Sequence, residues 1–157
     1  MSETHTFEMT LAWSASSTQT LPPDAAFSRN SVLAAPGKIP IAASAPAAFG
    51  GDSTRYNPEE LLIASLAQCH MLTFLAIAAK KRLDVLKYED RASGTLGTGP
   101  AGKMQMLEVL LRPRVTLAKG SILPDVQAMH AKAHANCFMA NSVNFSVRFE
   151  AQMDVAA

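Results

Sequence analysis

Alternating polar and apolar residues indicate several short β-strands along this chain. Thr6 to Trp13 alternate with the period of a strand that has one buried face. A second strand is predicted around Phe27 to Leu33. The Ala-, Pro-, Ser- and Gly-rich stretch from Ala34 to Gly51 predicts an extended loop with at most a short edge strand at Ile39 to Ile41. Three later strands are predicted over Tyr88 to Leu96, Met104 to Leu117 and Val143 to Met153.

Glycine and proline residues mark a turn and an interruption in these later strands. The run from Gly97 to Gly102 contains three glycines and a proline, which predicts a turn between the first two of them. Pro113 cannot donate a ladder hydrogen bond, so it indicates a sheet edge or a bulge within the predicted strand.

Two helices are predicted, and the first is unusually apolar. Asn57 can cap its start, Pro58 suits its first turn, and Glu60 completes a capping box. This helix runs to about Lys81, with no formal charge between Leu61 and Ala79. Because Gln68, Cys69 and His70 lie at the centre of that run, a helix buried within protein is favoured over a membrane span. The second helix is predicted from Ser121 to about Ala140.

The order of elements predicts one α+β domain over residues 1–157. Two helices pack on an antiparallel-rich sheet, and the sequence shows no internal repeat and no linker. Hydrophobic residues make up 48% of the 157 residues and charged residues 17%, which is enough apolar surface for a core. The net charge of +1 gives no basic footprint for nucleic acid. No basic segment followed by an apolar run marks export, so we expect a cytoplasmic protein.

Candidate chemistry is confined to cysteines and histidines. Cys69 and Cys137, taken singly, are as compatible with small buried side chains as with reactive thiols. His130 and His134 are four residues apart, as two zinc ligands would be, but no further ligand stands at a familiar spacing, so a solvated or hydrogen-bonded pair is favoured. His70 points about 100° away from its neighbour Cys69 on a helix and cannot easily act as its base.

Two segments together resemble the OsmC/Ohr family of organic hydroperoxide reductases. The first is Asn57-Pro58-Glu59 followed, ten positions after Glu59, by Cys69. The second begins at Cys137, which is followed by Phe138-Met139-Ala140-Asn141-Ser142. The order of predicted strands and helices also matches that family from about Thr6 to Met153. His70 and the Phe138-Met139 pair depart from better-known members and indicate a side branch.

The resemblance implies a thiol peroxidase without a cofactor. It implies that Cys69 is the peroxidatic thiolate, that Cys137 is the resolving thiol, and that Glu59 holds an arginine near the thiolate. Arg29 lies at the expected distance before Cys69, and Arg55 is its rival. The substrate would be an organic hydroperoxide, favoured by the apolar neighbours Leu66, Phe74, Phe138 and Met139. The reductant would be an external dithiol, which is a dihydrolipoyl protein for some family members.

Two other functions stay open at this point. One is an OsmC-like binding or structural protein with inert cysteines, because a fold does not guarantee an activity. The other is a metal-dependent hydrolase that uses His130 and His134.

Helix geometry constrains how such a site is assembled. Ten residues of continuous helix place Glu59 about 15 Å from Cys69 along the axis, which a glutamate side chain cannot span. Either the helix breaks, or Glu59 reaches Cys69 of another chain, and no residue between Pro58 and Cys69 indicates a break. Because family members are intertwined dimers with sites at the subunit interface, the resemblance implies a homodimer with shared sites.

Overall fold

The computed structural model describes residues 4–14 and 27–157. The contacts between residues divide the chain into two compact units, 1–61 and 62–157, each of which is described by itself. The expectation of a single domain over residues 1–157 stays a prediction.

The N-terminal unit contains a three-stranded antiparallel sheet in the order β1-β2-β3. Strand β1 covers Thr10–Ala12, β2 covers Ser31–Ala34 and β3 covers Ile41–Ala43. All three are shorter than the predicted strands or shifted from them. A strand extends only as far as its hydrogen-bonded partner, and the alternating pattern of Thr6 to Trp13 continues beyond the residues that pair with β2. The short strand expected near Ile41 is present at the edge of this sheet.

Helix α1 extends from Pro58 to Lys80 without a break. The predicted capping box is confirmed. The Glu60 backbone N–H donates to Asn57 Oδ1 over 2.8 Å, and the Asn57 N–H donates to Glu60 Oε2 over 3.1 Å. The cap therefore sets the start of the helix where the sequence places it.

Six strands of the C-terminal unit form two three-stranded sheets, β4-β7-β9 and β5-β6-β8. Each of the three later predicted strands proves to be two strands that belong to different sheets, so all three boundaries are corrected. Pairing is antiparallel in β4–β7 and β5–β6 and parallel in β6–β8 and β7–β9. The strands are β4 (Val85–Asp90), β5 (Ser93–Thr98), β6 (Met104–Leu111), β7 (Pro113–Leu117), β8 (Ser146–Phe149) and β9 (Gln152–Val155).

Arg112 lies where these strands change sheets. Its backbone N–H donates to Asp90 Oδ1 over 2.7 Å, and its guanidinium donates to the carbonyl of Arg91 and to Ser93 Oγ. The same guanidinium lies 3.6 Å from the Glu150 carboxylate. Because residue 112 leaves the ladder, Pro113 begins β7, where its missing N–H costs no hydrogen bond. Strand β7 is central in its sheet, so the expected sheet edge at Pro113 is wrong.

Helix α2 is shorter than predicted and covers Val126–Ala135. Asp125 caps its start by accepting the Ala128 N–H over 2.9 Å, and Asn136 ends it. Cys137 therefore lies two residues beyond the helix, not within its last turn. The α+β class with two helices and antiparallel-rich sheets is confirmed.

Helix α1 is long and apolar enough to cross a membrane by length and composition alone, as the sequence indicated. Its buried residues, however, follow one stripe at four-residue intervals, Leu66, His70, Phe74 and Ala78. This stripe packs against the protein's own sheets and α2.

The apolar core of the C-terminal unit consists of two clusters. One contains Phe74 of α1 together with Met129 and Ala133 of α2. The other contains Leu66 of α1 together with Leu111 of β6. His70 lies between Leu66 and Phe74 on the stripe, so a polar side chain stands where the two clusters would otherwise meet.

His70 is paired with His130 of α2. His70 Nε2 and His130 Nδ1 are 2.9 Å apart, the rings are nearly parallel, and both side chains are fully buried. The pKa of each is lowered from 6.5 to about 4, chiefly by burial, and for His70 the neighbouring His130 and His134 contribute to this shift. Both rings are therefore neutral in the folded protein at neutral pH.

We expect the folded protein to lose stability as the pH falls from 6.5 towards 4. Below pH 6.5 the unfolded chain binds protons that the buried His70 and His130 rings do not accept. The contribution of each neutral ring to the free energy of unfolding is therefore fully present above pH 6.5. Below that pH it declines by up to about 1.4 kcal/mol per pH unit. Urea unfolding across this range measures the slope. Replacing both histidines by phenylalanine should make the slope shallower. His134→Gln should change the slope far less, because His134 is the smallest of the three causes that lower the pKa of His70. An equal slope in the double variant would contradict this assignment.

Candidate active site

Cys69 lies at the middle of α1 and is half-buried. It is one position away from the buried stripe, which leaves its side chain at the border of the core. The hydroxyl of Thr73 donates to the Cys69 backbone carbonyl over 2.9 Å. The helix thus holds the Cys69 backbone in a fixed position while its thiol stays partly accessible.

Cys137 lies just after α2, and its side chain is only 1% exposed. The backbone N–H of Ala140 donates to its Sγ over 3.4 Å. Burial, and after it a hydrogen bond with the Cys69 side chain, raises the pKa of Cys137 to about 11, although the Ala140 N–H acts in the opposite direction. Cys137 is therefore a protonated thiol at neutral pH.

The structure brings the two cysteines together as free thiols in side-chain contact. They are sixty-eight positions apart in sequence, and both belong to the C-terminal unit. A buried protonated thiol next to a more accessible sulfur is an arrangement that can form a reversible disulfide.

Glu59 lies in the first turn of α1. Its Oε2 is buried without a hydrogen-bond partner, and among the described residues its carboxylate forms no ion pair. Since α1 is continuous, the helical rise separates Glu59 from Cys69 by about 15 Å along the axis.

Arg29 lies immediately before β2 in the N-terminal unit. Its guanidinium stacks 4.8 Å from the centre of the Phe27 ring and approaches Gly50, which has a φ of 76° and no side chain to obstruct it. Within the described residues Arg29 has no hydrogen bond or ion pair from its side chain. In that part of the chain, this cation is left without an anionic partner.

Arg29 also lines an apolar groove of about 720 Å³ in the same unit. The Trp13 indole N–H donates to the Ser28 carbonyl over 2.6 Å and ties β1 to the segment that carries Arg29. The alternating sequence pattern did not reveal this groove, because the groove depends on how β1 and residues 27–30 come together. Its other apolar walls include Leu11, Phe27, Leu33, Pro58 and Leu61.

Arg55, the rival arginine, is already paired. Its Nε lies 3.3 Å from Asp52 Oδ2 in an exposed turn. Thr54 donates to the same carboxylate through its N–H and its hydroxyl, and these hydrogen bonds lower the pKa of Asp52. The charge of Arg55 is therefore already paired within this turn.

The apolar residues expected near the cysteines divide into two groups. Leu66 and Phe74 are fully buried in the two core clusters, so they do not present a surface to a substrate. Phe138 and Met139, by contrast, are 79% and 38% exposed.

His130 and His134 are not arranged as two zinc ligands would be. His130 bonds to His70, while His134 is only half-buried and packs near the Phe149 ring. Among residues 4–14 and 27–157 no group of three or more metal-ligating side chains occurs. The pairing of His70 with His130 was not predicted. The four-residue spacing of His70 from Leu66 and Phe74 places it on the buried face of α1, where a polar side chain requires a hydrogen-bond partner.

Comparison with known proteins agrees with the resemblance seen in the sequence. A family model described as OsmC-like protein matches residues 50–152. An OsmC-like protein of unknown function from Vibrio cholerae is 36% identical, with a TM-score of 0.85 over 92% of this chain and 97% of that one. A putative organic hydroperoxide resistance protein from the same organism is 22% identical, with a TM-score of 0.64 over 95% and 91%.

A curated relative extends the comparison to another bacterium. The uncharacterized protein YmaD of Bacillus subtilis is 22% identical over 122 residues, which cover 76% of this chain and 81% of that protein. Because the family model spans most of the chain and a solved OsmC-like structure is 36% identical, this protein belongs to the OsmC/Ohr family.

Proposed function

We propose that this protein is a thiol peroxidase that reduces organic hydroperoxides to alcohols. The observation that carries the proposal is the contact between the thiols of Cys69 and Cys137. The name of the Vibrio cholerae organic hydroperoxide resistance protein, which shares the fold, supports the substrate class. The redox groups of the reaction are the two cysteines and an external reductant, without a metal or an organic cofactor.

Cys69 is the sulfur that attacks. It is more accessible than Cys137, and the raised pKa of Cys137 keeps that thiol protonated, so that Cys137 can donate its hydrogen to the Cys69 sulfur. We therefore assign the attack to Cys69, the less buried of the two residues.

The chemistry proceeds in three balanced steps. The Cys69 thiolate attacks one oxygen of the hydroperoxide, the S–O bond forms, the O–O bond breaks, and the alkoxide takes a proton and leaves as the alcohol. The Cys137 sulfur then attacks the sulfenic acid, forming the S–S bond and releasing water. An external dithiol reduces the disulfide by exchange and is itself oxidised to a disulfide. A dihydrolipoyl protein, as in some family members, is a reductant of this class.

The apolar groove beside Arg29 suits the organic substituent of such a peroxide. Its walls are aromatic and aliphatic, and of the described residues that line it the guanidinium is the one cation. A guanidinium stays charged in apolar surroundings and can stabilise both a thiolate and a developing alkoxide. The exposed side chains of Phe138 and Met139 offer further apolar contact to the substrate.

A homodimer with shared sites explains the unpaired charges. Arg29 and the buried Glu59 oxygen both lack ionic partners among the described residues of one chain, and Glu59 cannot reach Cys69 along a continuous helix. We therefore propose that Arg29 and Glu59 of one subunit complete the site that contains Cys69 and Cys137 of the other.

We expect Cys69→Ser to abolish consumption of cumene hydroperoxide, because the attacking sulfur is lost. Cys137→Ser should permit one turnover and then stall or overoxidise, since the sulfenic acid has no resolving thiol. Peroxide consumption with excess dithiol, together with mass spectrometry of Cys69, distinguishes the two. Multiple turnovers in Cys69→Ser would reject the assignment, and a wild-type protein whose thiols ignore the peroxide would be an inert binding protein.

We expect Arg29→Gln to lower kcat/KM for cumene hydroperoxide by roughly ten- to a hundredfold, since the thiolate and the alkoxide lose their cation. Arg55→Gln is the matched control and should stay within about twofold, because Arg55 forms an exposed pair with Asp52. Steady-state kinetics of both variants provides the measurement. The reverse ranking would assign the role to Arg55.

Mixing variants tests the shared site. Glu59→Gln and Cys69→Ser should each be impaired alone, whereas subunit exchange between them should restore one intact site in every heterodimer. Activity after exchange, normalised to the heterodimer fraction from native mass spectrometry, provides the measurement. No recovery despite proven exchange, or a monomer in sedimentation, would contradict the shared site.

A further inference from the structure

The hydrogen bond between His70 and His130 is a directional contact within an apolar interface. Of the four buried residues of α1, three are apolar and the fourth is His70; of the three buried residues of α2, two are apolar and the third is His130. Apolar contacts are non-directional and tolerate small sliding of one helix along another. A 2.9 Å hydrogen bond between two buried rings does not tolerate such sliding, because its energy depends steeply on distance and angle.

Both histidines are joined to the cysteines by short, rigid stretches of backbone. His70 follows Cys69 directly on α1. His130 lies seven residues before Cys137, which follows the end of α2 at Ala135. A turn hydrogen bond from the Cys137 N–H to the His134 carbonyl over 3.1 Å ties the cysteine to the last turn of the helix. Each histidine of the pair is thus joined through its own chain segment to one of the two cysteines.

Disulfide formation demands close placement of the two chain segments that bear the sulfurs. The Cα atoms of a disulfide lie about 4.4–6.8 Å apart, and a small displacement of one backbone prevents the bond. The contact between Cys69 and Cys137 therefore depends on the register of α1 against the end of α2. The histidine pair is the buried polar contact that specifies this register.

We propose that His70 and His130 are positioning residues for the resolving step, a role that rests on the proposed peroxidase function. They hold Cys137 where its sulfur can attack the sulfur of the Cys69 sulfenic acid. In that step the S–S bond forms, the S–O bond breaks, and the hydroxide leaves with the thiol proton as water. Neither histidine touches the peroxide, so the first step does not depend on them.

Aromatic neighbours allow a matched pair of variants at residue 130. The His130 ring stacks on Phe74 with centroids 4.4 Å apart and lies 5.9 Å from the Phe149 ring. His130→Phe keeps a ring in this aromatic environment but removes the hydrogen bond. His130→Asn removes the ring but keeps a polar atom near the position of Nδ1. His134→Phe is the control one turn further along α2, since no side-chain hydrogen bond is found for His134 in the described structure.

The first experiment follows the two steps separately after a pulse of cumene hydroperoxide. In His130→Phe, trapping of sulfenic acid should show Cys69 oxidation at the wild-type rate, whereas formation of the Cys69–Cys137 disulfide should slow about tenfold and sulfinic acid should accumulate. His130→Asn should recover most of the lost rate, and His134→Phe should behave as wild type. A wild-type rate of disulfide formation in folded His130→Phe would overturn the proposal, as would equal defects in the Phe and Asn variants.

The second experiment needs no peroxide and so separates this proposal from the proposed function. Equilibration with reduced and oxidised glutathione measures the effective concentration of the two thiols towards each other. His130→Phe should lower it about tenfold, and His130→Asn should restore it. A lowered value in a protein whose wild type ignores peroxides would leave the positioning role intact and reject the peroxidase. If His130→Phe does not fold, His70→Phe against His70→Gln repeats the comparison from α1, and an unchanged effective concentration there overturns the role.

Discussion

An unbroken series of helical hydrogen bonds from Pro58 to Lys80 fixes the spacing of the candidate residues on α1. Glu59 lies in the first turn and Cys69 three turns later, and a rigid rod of this length keeps them apart. The same helix places His70 in the core and Cys69 at its border, because adjacent residues point in directions about 100° apart. The partial exposure of the cysteine, its separation from the carboxylate and the proposal of a second chain all follow from this continuity.

The two sheets of the C-terminal unit complete the environment of the helix. Three long β segments pass from one sheet into the other near Arg112, whose hydrogen bonds reach Asp90 and Ser93. This bend lets one set of strands pack on Phe74 and the other on Leu66. The gap between the two apolar clusters is filled by the histidine pair, so a polar contact stands at the centre of an otherwise apolar helix interface.

The two thiols differ because their surroundings differ. Cys137 is enclosed beyond the end of α2, where burial and a hydrogen bond to the Cys69 side chain disfavour its anion. Cys69 is only half-buried. In the proposed reaction, one fold therefore makes an attacking sulfur and a resolving sulfur from the same residue type, and a different part of the chain provides the cation that the attack requires.

Local interactions let the sequence by itself determine the capped start of α1, its apolar length and the α+β class. Caps and periodicity depend on residues within a few positions of one another, which is why these predictions were confirmed. The tertiary structure decided the division of each later strand at residues such as Arg112 and the early end of α2. It also decided the pairing of His70 with His130, which joins residues sixty positions apart. Each of these depends on which group satisfies a buried or charged atom once the chain has folded, and no local pattern in the sequence encodes that choice.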